Sequence, residues 1–285
     1  MAIVDFILNL VGLLLWLHWR SLRFDPLSHS APATLAGTVK PASRDRAHRW
    51  YFLAALVVLL LLRALVYWGI GSPANWTARL DLGLVTLTFR SDARDGMLLF
   101  SLLSFARFLL VCYFWFLVLN VLNHRNRESG PVERLVRLHL GVFGRWPWPL
   151  QLITPILAAV LAWMALNPLL AQWNITAPAE SLTRLVLQGL LVSCGLLLSL
   201  KFVLPFILLL HLLTSYVYLG GSPLWEFVSA TARNLLRPLD SLPLRLAKFD
   251  FAPVLLVALI FLLLDALPRY LLLQVGTGKF NLWVQ

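Results

Sequence analysis

Four ionisable side chains, Arg63, Arg107, Lys201 and Asp265, lie inside long apolar runs of this sequence. An ionisable group in such a run is costly to keep and is a functional candidate by default. Arg63 and Arg107 fall within about a dozen residues of the ends of their runs, close enough to extend their guanidinium groups to a polar boundary. Asp265 precedes Arg269 by four residues, the spacing of a helical ion pair. Lys201 is too deep for either solution and must face a partner, a cavity or another subunit. The acids it could meet are Asp265, nearest in depth, and then Asp5. A structural ion pair, a proton or ion path and contact with another subunit are the three readings of Lys201.

Other chemistry is sparse. His211 could ligate a chlorin or haem iron, but no second axial candidate stands at matching depth. Cys112 and Cys194 lie in apolar runs with neither disulfide nor metal spacing, so they read as buried thiols. The sequence has no nucleophile, base and orienter set, no Gly-rich phosphate loop and no HExxH. The expectation is a protein that is not an enzyme and carries no cofactor or metal.

The elements that must hold these groups are membrane spans. Of the 285 residues 60% are hydrophobic and 13% charged, and the mean hydropathy is +0.79; a water-soluble chain of this length needs more polar surface. Six stretches reach the roughly 20 apolar residues a helix needs to cross a bilayer: Ala2 to Trp19, Trp50 to Ile70, Met97 to Leu122, Leu150 to Gln172, Leu185 to Tyr218 and Phe251 to Gln274. The first lacks a positive leader region and a small-x-small cleavage site, so it reads as a retained helix. The net charge of +11 comes from Arg and Lys crowded beside these runs, which points to anionic lipid headgroups rather than nucleic acid. Basic residues gather in alternate loops, Arg20 to Arg49, Arg125 to Arg145 and Arg233 to Lys248. Those loops are therefore assigned to the inner side, with both termini outside.

A shift of 92 residues lays Gly130-Pro131 on Ser222-Pro223. An amphipathic helix follows each pair. Val132, Leu135, Val136, His139, Val142 and Phe143 share one face in the first, as do Leu224, Phe227, Val228, Thr231 and Leu235 in the second. Glu133, Arg134, Arg137 and Arg145 take the wet face of one, and Glu226, Arg233 and Arg237 that of the other. Proline suits the first helical turn, and Ser222 can cap the second helix. The fold expected is thus an all-α polytopic membrane protein of about six transmembrane helices, with two tandem span, amphipathic-helix, span repeats and a short extended segment on the outer face. Residues 1–95 form an N-terminal two-span extension, 96–172 the first repeat and 173–285 the second with an outer tail. The extended segment is the alternating Arg79 to Arg90 run, which could pair with "KFNLWVQ" at the C-terminus or dock on a partner.

The run "GGSPLWEFVSATARNLLRPL" followed by "FDFAPVLLVALIFLLLDAL" resembles the YggT family (YlmG in plastid-bearing lineages) of small integral membrane proteins. The matching positions are Leu236, Arg237, Pro238 and Leu239, then Asp250, Ala252 and Pro253. The first copy departs from the pattern, with Gly144-Arg145-Trp146-Pro147 and Ile153-Thr154-Pro155, and the first 95 residues lie outside it. The resemblance implies a non-enzymatic role in the assembly of membrane complexes, in division or nucleoid placement, or in stress tolerance.

The function expected is an accessory or scaffold subunit of a membrane complex in the bacterial cytoplasmic membrane. Its basic interfacial helices would meet anionic lipid of the cytoplasmic leaflet and other membrane subunits through Arg134, Arg137, Arg233 and Arg237. The alternative is a small transporter or channel using Lys201.

Overall fold

The computed structural model describes residues 2–21, 45–74, 76–91, 93–124, 130–176, 181–217, 220–239, 245–246 and 249–274. Six helices are long and apolar enough to cross a membrane: α1 (Ala2–Ser21), α2 (Asp45–Ala74), α3 (Arg94–Leu122), α5 (Trp148–Gln172), α6 (Leu182–Tyr216) and α8 (Ala252–Gln274). The chain is thus a multi-pass membrane protein of mostly helical structure. Two shorter helices, α4 (Pro131–Leu140) and α7 (Pro223–Leu236), fill the turns between α3 and α5 and between α6 and α8. The span ends differ by a few residues from those expected. α6 starts earlier because the Ser181 hydroxyl accepts a hydrogen bond from the Arg184 amide, a side-chain cap.

The chain divides into two compact units, 1–80 with 88–109 and 81–87 with 110–285. Residues 96–109, expected to open the first repeat, fall in the first unit, so the division cuts α3 in the middle.

In the first unit α1 packs along α2. Gly12 brings the two together, since a Cβ there would stand 2.8 Å from the Phe105 ring and 3.3 Å from Leu56. The extended segment is a hairpin, β1 (Thr77–Asp81) paired with β2 (Thr86–Arg90), whose turn residues 81–87 belong to the second unit. Residues alternate strictly along both strands, with Ala78, Leu80, Leu87 and Phe89 buried and their neighbours exposed. The C-terminal run offered as another partner for this segment lies outside the described residues. Gly83 makes the turn, with φ +98°, and the Leu82 amide donates to the Val85 carbonyl at 2.7 Å.

In the second unit α6 is the central element, packed against α5, α7 and α8. Ile207, Leu208, Val228, Ala232, Leu236, Leu256 and Ile260 form one core, and Phe114, Val118, Ala159 and Leu196 another. Gly189 allows close approach of α5, as a Cβ there would lie 3.2 Å from the Val160 Cα. Polar side chains tie helices together between apolar layers. The Trp115 indole donates to Ser199 at 2.9 Å, and Trp163 and Asn167 both donate to the Gln188 carbonyl at 3.3 Å.

The turn from α4 into α5 is held in the same way. Pro147 and Pro149 have no amide hydrogen to offer there. The Gln151 amide instead donates to the carbonyls of Trp146 (2.7 Å) and Gly144 (3.1 Å), while Asn120 donates to Gln151 at 2.9 Å. Asn123, at the end of α3, donates to Thr231 at 2.8 Å and accepts from Asn234 at 3.1 Å, which fastens α7. Arg245 and Leu246 (β3) pair antiparallel with Asp250 and Phe249 (β4) just before α8.

Candidate functional site

The first unit contains a charged cluster in its membrane-spanning helices. Asp5 and Asn9 stand one helical turn apart on α1, and Arg63 and Tyr67 one turn apart on α2. Ser104 faces them from α3. The Arg63 guanidinium donates to Asp5 Oδ1 at 2.8 Å, to Asn9 Oδ1 at 2.8 Å and to Ser104 Oγ at 3.0 Å. Tyr67 donates its hydroxyl to the same Asp5 oxygen at 2.5 Å, and Asn9 donates to Ser104 at 3.1 Å. The Tyr67 and Phe100 rings lie 5.5 and 5.4 Å from the guanidinium carbon. The Arg63 side chain is 1% exposed and that of Asp5 is 22%.

This overturns the expectation that Arg63 reaches out to the membrane boundary. Its planar fork binds three oxygens from two neighbouring helices, which a reach toward water would forfeit. Arg63 and Asp5 together carry no net charge, so the cluster fastens three helices without leaving an isolated ion in the apolar phase. Asp5, Asn9, Tyr67 and Ser104 were not singled out as its partners from sequence. The available signal was four polar residues within apolar runs, with Asp5 and Asn9 at helical spacing from each other and Tyr67 at helical spacing from Arg63. Arg107 is exposed on α3.

Lys201 and Asp265 meet in the second unit, Nζ to Oδ1 3.6 Å. The Lys201 nitrogen also lies 5.6 Å from the centre of the Phe202 ring. α8 has 23 residues, barely the thickness of a hydrocarbon core, and Asp265 sits about 20 Å from its start and about 14 Å from its end. Both residues fall within candidate spans, Asp265 six residues, about 9 Å, before the end of the one that α8 supplies. The pair is not enclosed: the side chains are 32% and 49% exposed. Beside it runs a shallow groove lined by Phe261, Leu262, Asp265, Ala266, Arg269 and Tyr270.

The two short helices touch each other. Arg134, Arg137 and Arg233 are exposed on them, and Arg237 is exposed just after the second. Pro131 and Pro223 start the helices, and Gly141 with φ +59° ends the first. Ser222 stands at the N-cap with extended backbone, but its hydroxyl makes no capping bond. The faces differ from those expected. Val136, His139 and Leu140 are buried, whereas Leu135, Val142 and Phe143 are exposed. Around α4 run three sectors: one toward protein, one apolar and open, one carrying the arginines.

Glu133, expected on the wet face, is buried in the protein-facing sector, and its Oε2 has no hydrogen-bond partner among the described residues. Burial pushes its pKa above the usual carboxylate range, opposed by the charge of Arg137. A carboxyl that holds its proton more tightly folded than unfolded favours the fold at low pH, and this contribution is lost as pH rises through the folded-state value. Glu133→Gln is therefore expected to reduce the loss of melting temperature between pH 5 and pH 8 in detergent. An identical loss in both proteins would show that Glu133 does not titrate under strain.

Of the residues on which the YggT resemblance rests, Arg237 and Pro238 form an exposed turn after α7, Asp250 lies in β4, and Pro253 is buried at the start of α8. Cys112 and Cys194 are free thiols. No group of three or more His, Cys, Asp or Glu side chains suited to a metal ion occurs among the described residues. His211 lines an open cavity between α6 and α7. Comparisons with protein-family models, with curated proteins and with solved structures find no match.

Proposed function

We propose that this chain is a non-enzymatic accessory subunit that helps assemble a larger complex in a bacterial cytoplasmic membrane, with both termini outside. The observation that carries the reading is the half-exposed Lys201–Asp265 pair on α6 and α8. Facing acyl chains, two charges would keep their full desolvation cost with only a 3.6 Å contact to offset it. Against another membrane protein, the same pair finds further polar partners and the groove beside it is filled.

The basic helices support the same role. α4 and α7 touch, and four arginines on them or directly after them are exposed, able to meet an anionic leaflet. Each arginine near an anionic leaflet contributes about 1 kcal/mol of attraction. Two tandem span, surface-helix, span units would bring two such helices to one side, as the 92-residue shift and the resemblance to YggT proteins suggest.

The test is the double replacement Lys201→Met with Asp265→Leu, followed by pull-down in mild detergent. Recovery of co-purifying membrane proteins is expected to fall at least tenfold, about 1.4 kcal/mol of affinity. The isolated chain should melt at the same temperature or higher, because two poorly satisfied charges have gone. Unchanged recovery would sink the assembly reading.

A further inference from the structure

A second polar site lies in the same unit, away from the Lys201–Asp265 pair. α6 ends in a stripe of His211, Thr214 and Ser215, spaced three and four residues apart. α7 presents Glu226, Ser229 and Arg233, spaced three and four apart, with Trp225 beside them. The two stripes line one cavity of about 350 Å³, within the range of small-ligand sites. It lies where the span α6 gives way to the short helix α7.

The chemistry of the lining is asymmetric. The Thr214 hydroxyl already donates to the His211 carbonyl at 2.8 Å and Arg233 Nε to the Ser229 carbonyl at 3.3 Å, which leaves the terminal nitrogens of Arg233, the hydroxyls of Ser215 and Ser229 and the Trp225 indole as donors, a set suited to phosphate oxygens. Glu226 can only accept when ionised, and it would repel a second negative charge. Arg233 and Glu226 cancel, so the cavity does not suit a purely anionic group. It suits a ligand with a phosphate at one end and a primary ammonium, able to donate to a carboxylate, at the other.

The geometry points to a binding site for a phosphoethanolamine group, presented as the headgroup of a zwitterionic phospholipid. Arg233 takes the phosphate through its terminal nitrogens, with the hydroxyls of Ser215 and Ser229 around it. Glu226 takes the ammonium. The Trp225 indole suits the boundary between headgroups and acyl chains. Such a site selects a lipid by headgroup, which the exposed arginines alone cannot do. It rests on one part of the reading above, the position of α7 at headgroup depth, and is independent of the partner at Lys201–Asp265.

Native mass spectrometry of the full chain, loaded from mixed micelles of phosphatidylethanolamine, phosphatidylcholine and phosphatidylglycerol, tests it. Phosphatidylethanolamine is expected to be retained at least tenfold over phosphatidylcholine, whose methylated ammonium has no hydrogen to donate to Glu226. Arg233→Gln should abolish that retention. Glu226→Gln should shift it toward phosphatidylglycerol. Both residues are exposed, so the variants should fold, and an unchanged melting temperature checks this. Equal retention of the three lipids, or a preference that both substitutions leave intact, overturns the site. O-phosphoethanolamine added to lipid-free micelles separates the sources. Binding of the lipid and of the soluble compound, both lost in Arg233→Gln, supports a headgroup site. Binding of the soluble compound alone overturns the lipid assignment and the headgroup depth of α7, while leaving a partner at Lys201–Asp265 to stand or fall by its own pull-down.

Discussion

Arg63→Met is expected to destabilise the protein by about 3–5 kcal/mol, the range for removing one partner of a buried ion pair. The substitution withdraws the donor from Asp5, Asn9 and Ser104 together. Asp5 would then keep Tyr67 as its hydrogen-bond donor and no cation. Reversible unfolding in detergent, titrated with SDS and followed by circular dichroism, measures the loss.

The double variant Arg63→Met with Asp5→Leu separates charge from packing. Removing both charges eliminates the uncompensated ion, so the pair should recover to within about 1–2 kcal/mol of the parent. Arg63→Lys should fall between the two, since an ammonium is a single point of charge and cannot reproduce a planar fork reaching three oxygens. A loss below about 1 kcal/mol for Arg63→Met alone would mean that the helices hold without the cluster. A double variant as weak as the single one would mean that Asp5 is not the partner that matters.

The cluster also marks where sequence reading reached its limit. The six spans were legible because each is a nearly continuous apolar run, and a run of that length has no alternative solvent. Arg79 to Arg90 was legible as one extended, alternating segment, but its folding into a hairpin was not. Gly83, in the middle of that run, was the available sign that the segment folds back on itself. Arg63 was misjudged because the reach to the membrane boundary was measured along its own helix. What decides its position is whether neighbouring helices offer oxygens at its level, and the mutual facing of Asp5, Asn9 and Ser104 is a tertiary fact. Glu133 failed for a related reason. A two-sided helical wheel suits a helix between core and water, whereas α4 has protein, open apolar surface and open polar surface around it.

Gly195→Ala is expected to cost about 1–3 kcal/mol, the range for forcing atoms into a close-packed site. At Gly195, in the middle of α6, the backbone of the hairpin turn meets the helix directly. A Cβ there would fall far inside 3.0 Å of the Leu82 carbonyl oxygen, and 2.8 Å from its carbon. The obstacles are main-chain atoms on both sides, so no side-chain rotation relieves them. Gly83→Ala meets the same contact from the opposite direction, against the Gly195 Cα, and adds the strain of a φ of +98°. It should therefore cost more than Gly195→Ala. Because the two glycines share one contact, the double variant should not cost the sum of the singles. Gly69→Ala supplies the control. That glycine lies on an exposed face of α2 with nothing within 4 Å of the added methyl, so the change should be neutral or stabilising by up to about 1 kcal/mol. SDS titration of the three single variants and the double one reads all of these values. Equal melting of Gly195→Ala and Gly69→Ala would mean that the hairpin turn does not rest on α6.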